Sequence, residues 1–214
     1  MSKKTTSFSW LRVVAVIMAA WLFFPLAEAA KVTYNGINYY YSRKGQESKT
    51  QVDKWTDAPY TGDENGVLEI PASFEVNGTT YTVIATRGAA FQGCTELKEV
   101  RLPETVTTIG NLTFDGCTSL EVDPLTPNIN SLGQKAFRGC TALKEVTIPA
   151  TVTNDIANQE FAGSGLQKLI FADCETPIKI LLGAFSDDEN PAPPLEELVI
   201  HRNLVMGSSA YNTA

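Results

Sequence analysis

The residues able to do chemistry are few, and their spacing argues against a reaction centre. Cys94, Cys117 and Cys140 stand at a fixed interval of 23 residues, with Cys174 out of phase. A zinc or redox site needs Cys or His at ligand spacing within one loop or turn, whereas these three hold the same place in successive copies of one phrase. They are expected to form a ladder of buried free thiols. Parallel side chains about 4.8 Å apart are near enough for a disulfide but do not offer its dihedral angle. Cys174 is expected in a loop after a strand at 166–171, without a mate. The single histidine, His201, reads as a surface residue, and no GxSxG elbow, HExxH pair or phosphate-cradling loop occurs. The acidic, proline-rich run 186–194, with Asp187, Asp188 and Glu189, reads as a solvated loop and lacks the alternating oxygen ligands of a calcium loop. No catalytic residue, metal site or cofactor is expected, so the chain reads as a non-enzyme.

What places the cysteines is a repeat. Phe91, Phe114, Phe137, Phe161 and Phe185 recur every 23 or 24 residues, each opening a unit such as AFRGCTALKEVTIP. A period in the twenties with leucine at fixed offsets is that of leucine-rich repeats, in which one unit makes one coil and buries its apolar face only by stacking. Leu97, Leu120, Leu143 and Leu166 introduce short strands that Leu102, Leu125, Ile148 and Phe171 continue inward. Gly93, Gly116, Gly139 and Gly163 mark one corner, and Gly110 and Gly133 a second, where positive φ or close backbone approach is needed.

The phrase resembles the BspA-like leucine-rich repeats of bacterial surface proteins, over roughly residues 66–200. Units 91–103 and 137–149 follow the pattern closely. The middle unit departs from it, with Asp123 at an inward position and Pro124 after it, and Val122 is expected to take over through a bulge. Later units carry Ser164 and Asp188 where the pattern has cysteine. The expected fold is an α/β-type repeat, mostly β: a right-handed leucine-rich repeat solenoid with an N-terminal β-hairpin cap.

The segments follow in order. Residues 1–29 read as a secretory signal, with Lys3, Lys4 and Arg12 leading an apolar run closed by Ala27-Glu28-Ala29. That run, broken by Pro25, falls short of the ~20 residues that span a bilayer, so no transmembrane segment is expected in the mature chain. Residues 30–65 are aromatic, with Asn35-Gly36 setting a hairpin, and cover the first coil. Asn77-Gly78 repeats the device. Residues 66–200 form the solenoid and 201–214 a C-terminal tail. A net charge of −7, more acidic once the signal is gone, disfavours nucleic acid as a partner.

Outward positions between the inward aliphatics are Arg101, Pro124, Thr147, Ile170 and Val199. Stacking places Thr147, Ile170 and Val199 in a patch rimmed by Glu145, Lys168 and Glu197, the make-up of a small protein-binding site. The expected function is an exported binding module for an extracellular or envelope protein or glycan, acting at the cell surface, in the periplasm or outside the cell. The resemblance implies adhesion. The alternative is a structural envelope protein that self-assembles, as a homodimer, through an uncapped last coil with Leu195, Leu198 and Ile200 exposed.

Overall fold

The computed structural model describes residues 30–41 and 49–207; the expected signal, and residues 208–214 of the tail, lie outside the described residues. The chain opens with an antiparallel hairpin, β1 Ala30–Tyr34 and β2 Ile37–Tyr41, whose Asn35-Gly36 turn has φ 47° and 76°, as two positive-φ residues require. Strand β3 Lys49–Val52 pairs antiparallel with β2 and parallel with β6 Thr79–Thr86. Between them come β4 Val67–Glu69 and β5 Ser73–Val76; β5 pairs antiparallel with β6 around Asn77-Gly78.

From there the repeat builds three lines of stacked backbone. In the first, β4 pairs parallel with β7 Glu99–Arg101, and β10 Glu145–Ile148, β11 Lys168–Leu181 and β12 Glu197–Gly207 form a second parallel group. The second line runs from β6 to β8 Thr108–Ile109 and β9 Ser131–Leu132. The third is a ladder of turns: Phe91 N–H donates to Thr113 O, Phe114 to Ala136 O, Phe137 to Glu160 O and Phe161 to Ala184 O, all at 2.8–2.9 Å. The α/β-type repeat is realised on its β side. Among the described residues the only helical element is a 3-10 turn at Leu182–Ala184.

The core is the inside of the coils. Phe91, Phe114, Phe137 and Phe161 are fully buried, and their rings stack at centroid distances of 5.3, 5.4 and 5.8 Å; Phe185, half-buried, ends the column 6.1 Å on. Offset stacks of this kind add to the burial energy of each ring, about 1.5–3 kcal/mol. Tyr60 meets the first ring edge-on at 5.9 Å, so the aromatic segment joins the same column.

The corners confirm why glycine is needed at two different places. Gly139 has φ 69°, and a Cβ on Gly133 would strike the backbone of Gly110 one coil away. The turn before each phenylalanine also puts Ala89, Leu112, Lys135 and Gln159 at φ 56–64°, without glycine.

Four expectations are corrected. Val122 is 47% exposed and does not replace the inward aliphatic; no strand forms around Asp123, between β8 and β9. Instead the Asp123 carboxylate stands in for a backbone acceptor, taking the Thr147 N–H at 2.7 Å and the Leu125 N–H at 3.0 Å. Pro124, expected to face outward, is buried. Run 186–194 is a docked turn: Asp187 accepts the Asn190 N–H and lies 3.7 Å from Arg138, Gly163 N–H donates to Pro191 O, and Pro193 is buried. Finally, β11 continues through Cys174 to Leu181 and β12 past Ile200 to Gly207, because Ile178 and Ile180, both buried, carry the pairing into the next side of the coil.

Candidate functional site

The six residues singled out from the sequence lie on β10, β11 and β12. Parallel register sets Thr147 beside Ile170 and Ile170 beside Val199, and in the neighbouring row Glu145 beside Lys168 and Lys168 beside Glu197. The reason is local: Val146, Ile148, Leu169 and Phe171 are fully buried, and period-2 alternation turns the residues between them outward. Thr147, Ile170 and Val199 are half-buried, Glu145 and Glu197 exposed. Lys168 Nζ reaches Glu197 at 3.3 Å, an exposed pair that orders the rim more than it stabilises the fold.

Asp123 borders the patch. Burial pushes its carboxyl up to about 6, against the two N–H groups that favour the anion, and Glu145 pushes it further up. On the far side β12 is an edge: among the described residues it pairs only with β11. Leu198 and Ile200, the register partners of buried Leu169 and Phe171, are 38% and 44% exposed.

Arg202, which the sequence offers only as partial cover for the last coil, makes a longer reach. It is 6% exposed, and its guanidinium donates to the carbonyls of Val152 at 2.7 Å and of Ala150 and Pro149, tying β12 to the turn after β10. A lone arginine in a polar tail gives no sign of such a reach.

The cysteine ladder stands as expected: Cys94, Cys117 and Cys140 are free and fully buried. Cys117 and Cys140 donate to the carbonyls of Phe91 and Phe114 at 3.1 and 3.0 Å. Burial pushes the Cys94 thiol up to about 11 and raises the Cys117 and Cys140 thiols as well.

A cleft of about 490 Å³ lies at the N-terminal end, lined by Asn35, Asn38, Trp55, Asp57, Tyr60 and Leu68 among others. Its polar groups are largely committed to the fold: Tyr60 OH accepts the Asn38 N–H and donates to Asp53 O, and the Trp55 indole donates to Gln92 O. His201 is exposed. Among the described residues no group of three or more His, Cys, Asp or Glu is placed to hold a metal, and no helix is long and apolar enough to cross a membrane.

No curated protein matches the sequence. Among solved structures, a leucine-rich cell surface protein from Faecalibacterium prausnitzii is similar with a TM-score of 0.54 and 21% identity, over 90% of this chain and 57% of that protein. The present chain thus spans little more than half of it. A leucine-rich repeat protein from T. pallidum is similar with a TM-score of 0.54 and 19% identity, over 83% of this chain and 86% of its own. One from Bacteroides capillosus is 28% identical over 57% of this chain and 84% of that one, with a TM-score of 0.49. The profile of the BspA type leucine-rich repeat region matches residues 74–190 in 6 copies, more than half of the sequence. With its stacked phenylalanines and recurring Gly-Cys corner, the chain belongs to the BspA-type leucine-rich repeat family.

Proposed function

We propose that the chain is an exported, non-enzymatic binding module that captures an extracellular or envelope protein or glycan at the cell surface. The observation that carries this reading is the outward row Thr147, Ile170 and Val199, set side by side by the β10–β11–β12 register and bordered by Glu145, Lys168 and Glu197. Small apolar centres with charged rims are the usual make-up of a protein-binding patch. Fold alone does not fix function, and the proposal rests on the patch. The N-terminal run of basic then apolar residues supports export. Similarity to a leucine-rich cell surface protein supports a role in adhesion. The test is capture from host extracellular matrix and from isolated bacterial envelopes by the immobilised chain. Ile170→Asp should lose what the wild type retains, with an unchanged melting midpoint. Equal capture by both would remove the patch from the account.

A second reading, self-assembly, is favoured by a separate observation. Among the described residues, three of the five exposed large apolar side chains, Leu198, Ile200 and Val205, lie on β12, whose far edge has no neighbouring strand. Exposed edges of that kind template pairing with another chain. Sedimentation at micromolar concentration should then give a dimer that Leu198→Lys returns to monomer. A wild-type monomer throughout would eliminate this reading.

A further inference from the structure

Cys174 differs from the other three cysteines in every physical respect that governs thiol chemistry. It is half-buried rather than sealed in the core. Its Sγ accepts the Thr176 N–H at 3.3 Å, a bond available because the β11–β12 register is irregular on both sides of Cys174, which leaves that N–H off the ladder. Across the register its partner is Arg202.

Arg202 supplies the second, independent observation. The side chain is more than nine-tenths buried, its two terminal nitrogens are spent on the carbonyls of Pro149, Ala150 and Val152, and its Nε has no partner. No carboxylate pairs with it among the described residues. A buried cation held only by neutral carbonyls is costly, and the neighbouring group able to supply a negative charge is the Cys174 thiol. The Thr176 N–H holds that thiol below its ordinary range and the Arg202 charge lowers it further, whereas burial raises the three ladder thiols. Asp173 and Glu175 flank it on β11 and are exposed; the turn at Pro149–Val152 contributes carbonyls, and β12 contributes Arg202.

We propose that Cys174 is a thiol-exchange site whose thiolate, accepting the Thr176 N–H and standing across the β11–β12 register from Arg202, attacks a low-molecular-weight disulfide and becomes a mixed disulfide. The new bond joins Cys174 Sγ to one sulfur of the disulfide while the old S–S bond breaks. The other half leaves as a thiolate and takes up a proton from solvent, replacing the one Cys174 had released there. No external oxidant is required, since the small disulfide is itself the two-electron acceptor. When Cys174 is capped, Arg202 loses its negative neighbour, so modification is expected to loosen the β11–β12 pairing beyond Phe171.

Incubating the folded full chain with oxidised glutathione at neutral pH, followed by acid quench and peptide mapping, tests this. The expected result is one adduct, on the peptide bearing Cys174, absent from Cys174→Ser. Alkylation of Cys174 by iodoacetamide should show a pH midpoint below the ordinary thiol value of about 8.5, raised toward it in Arg202→Gln. Should that variant not fold, the wild-type midpoint decides. No adduct on the folded chain, adducts spread equally over all four cysteines, or a midpoint at the ordinary value or above would each overturn the proposal.

Discussion

The rings of Phe114 and Phe137 lie 5.4 Å apart with an interplanar angle of 5°, one coil above the other. Each is sealed by a neighbour on both sides, and the column ends at half-buried Phe185. Phe137→Ala should therefore cost about 3–5 kcal/mol, and Phe185→Ala clearly less, because the surroundings of the last ring are open and can collapse. Urea unfolding of the two variants decides. Equal midpoints would mean that the column does not carry the core.

A cysteine ladder of neutral thiols gives the fold an alkaline limit. The Cys94 value rises from 9.0 to about 11 in the folded chain, so the unfolded chain releases that proton first. The stability this contributes is whole below pH 9 and is lost as pH rises through about 11. Cys117 and Cys140 act in the same direction. Thermal midpoints measured upward from pH 9 should fall, and should fall less in Cys94→Ala. Thiol counting on the denatured chain should find all three ladder cysteines reduced.

Two carboxyls, Glu160 buried and Asp123 half-buried, make stability decline from acid pH toward neutral. Glu160, 1% exposed, is raised from 4.5 to about 7 by burial, against the Asn158 N–H that it accepts at 2.7 Å. Asp123 is raised from 3.8 to about 6. A folded value above the unfolded one means stability that is whole below the lower number and lost as pH rises through the higher. The urea midpoint should therefore decline between pH 4.5 and about 7. Glu160→Gln, neutral throughout, should remove its share of the slope; an unaltered slope would show that Glu160 does not titrate in this window.

Close backbone approach sets the fourth expectation. Gly133 packs on the Gly110 backbone with no room for a side chain. Gly133→Ala should destabilise far beyond an ordinary glycine-to-alanine change and lower the melting midpoint by several degrees or abolish folding. A neutral result would mean that the second corner is looser than described.

The coil interior was legible because it is periodic. Phenylalanine, leucine and the corner glycine repeat in type and spacing, and alternation about Val146 and Ile148 gave the inward and outward faces of β10. What escaped was polar and non-periodic. Asp123 interrupts the apolar pattern and reads as a break, yet its two oxygens bridge it through main-chain N–H groups. Arg202 reaches back some fifty residues to carbonyls that any sequence contains. The left-handed positions Ala89, Leu112, Lys135 and Gln159 carry no shared residue type, because the backbone ladder between coils enforces them. In the patch, alternation gave the outward direction, and only the pairing register put Thr147, Ile170 and Val199 in one row.

The central claim is that this row is the capture surface, and two exposed aliphatic positions separate it from general surface stickiness. Val122 is the more exposed and lies two units before Ile170, in the stretch between β8 and β9 that forms no strand; Ile170 lies in the row. Affinity for a captured partner should be measured for Ile170→Asp and Val122→Asp beside the wild type, with melting midpoints recorded for all three. The account predicts a loss of about 30-fold or more for Ile170→Asp, the size expected of an interface anchor, little change for Val122→Asp, and three equal midpoints. Equal affinities for the two variants at unchanged stability would contradict it.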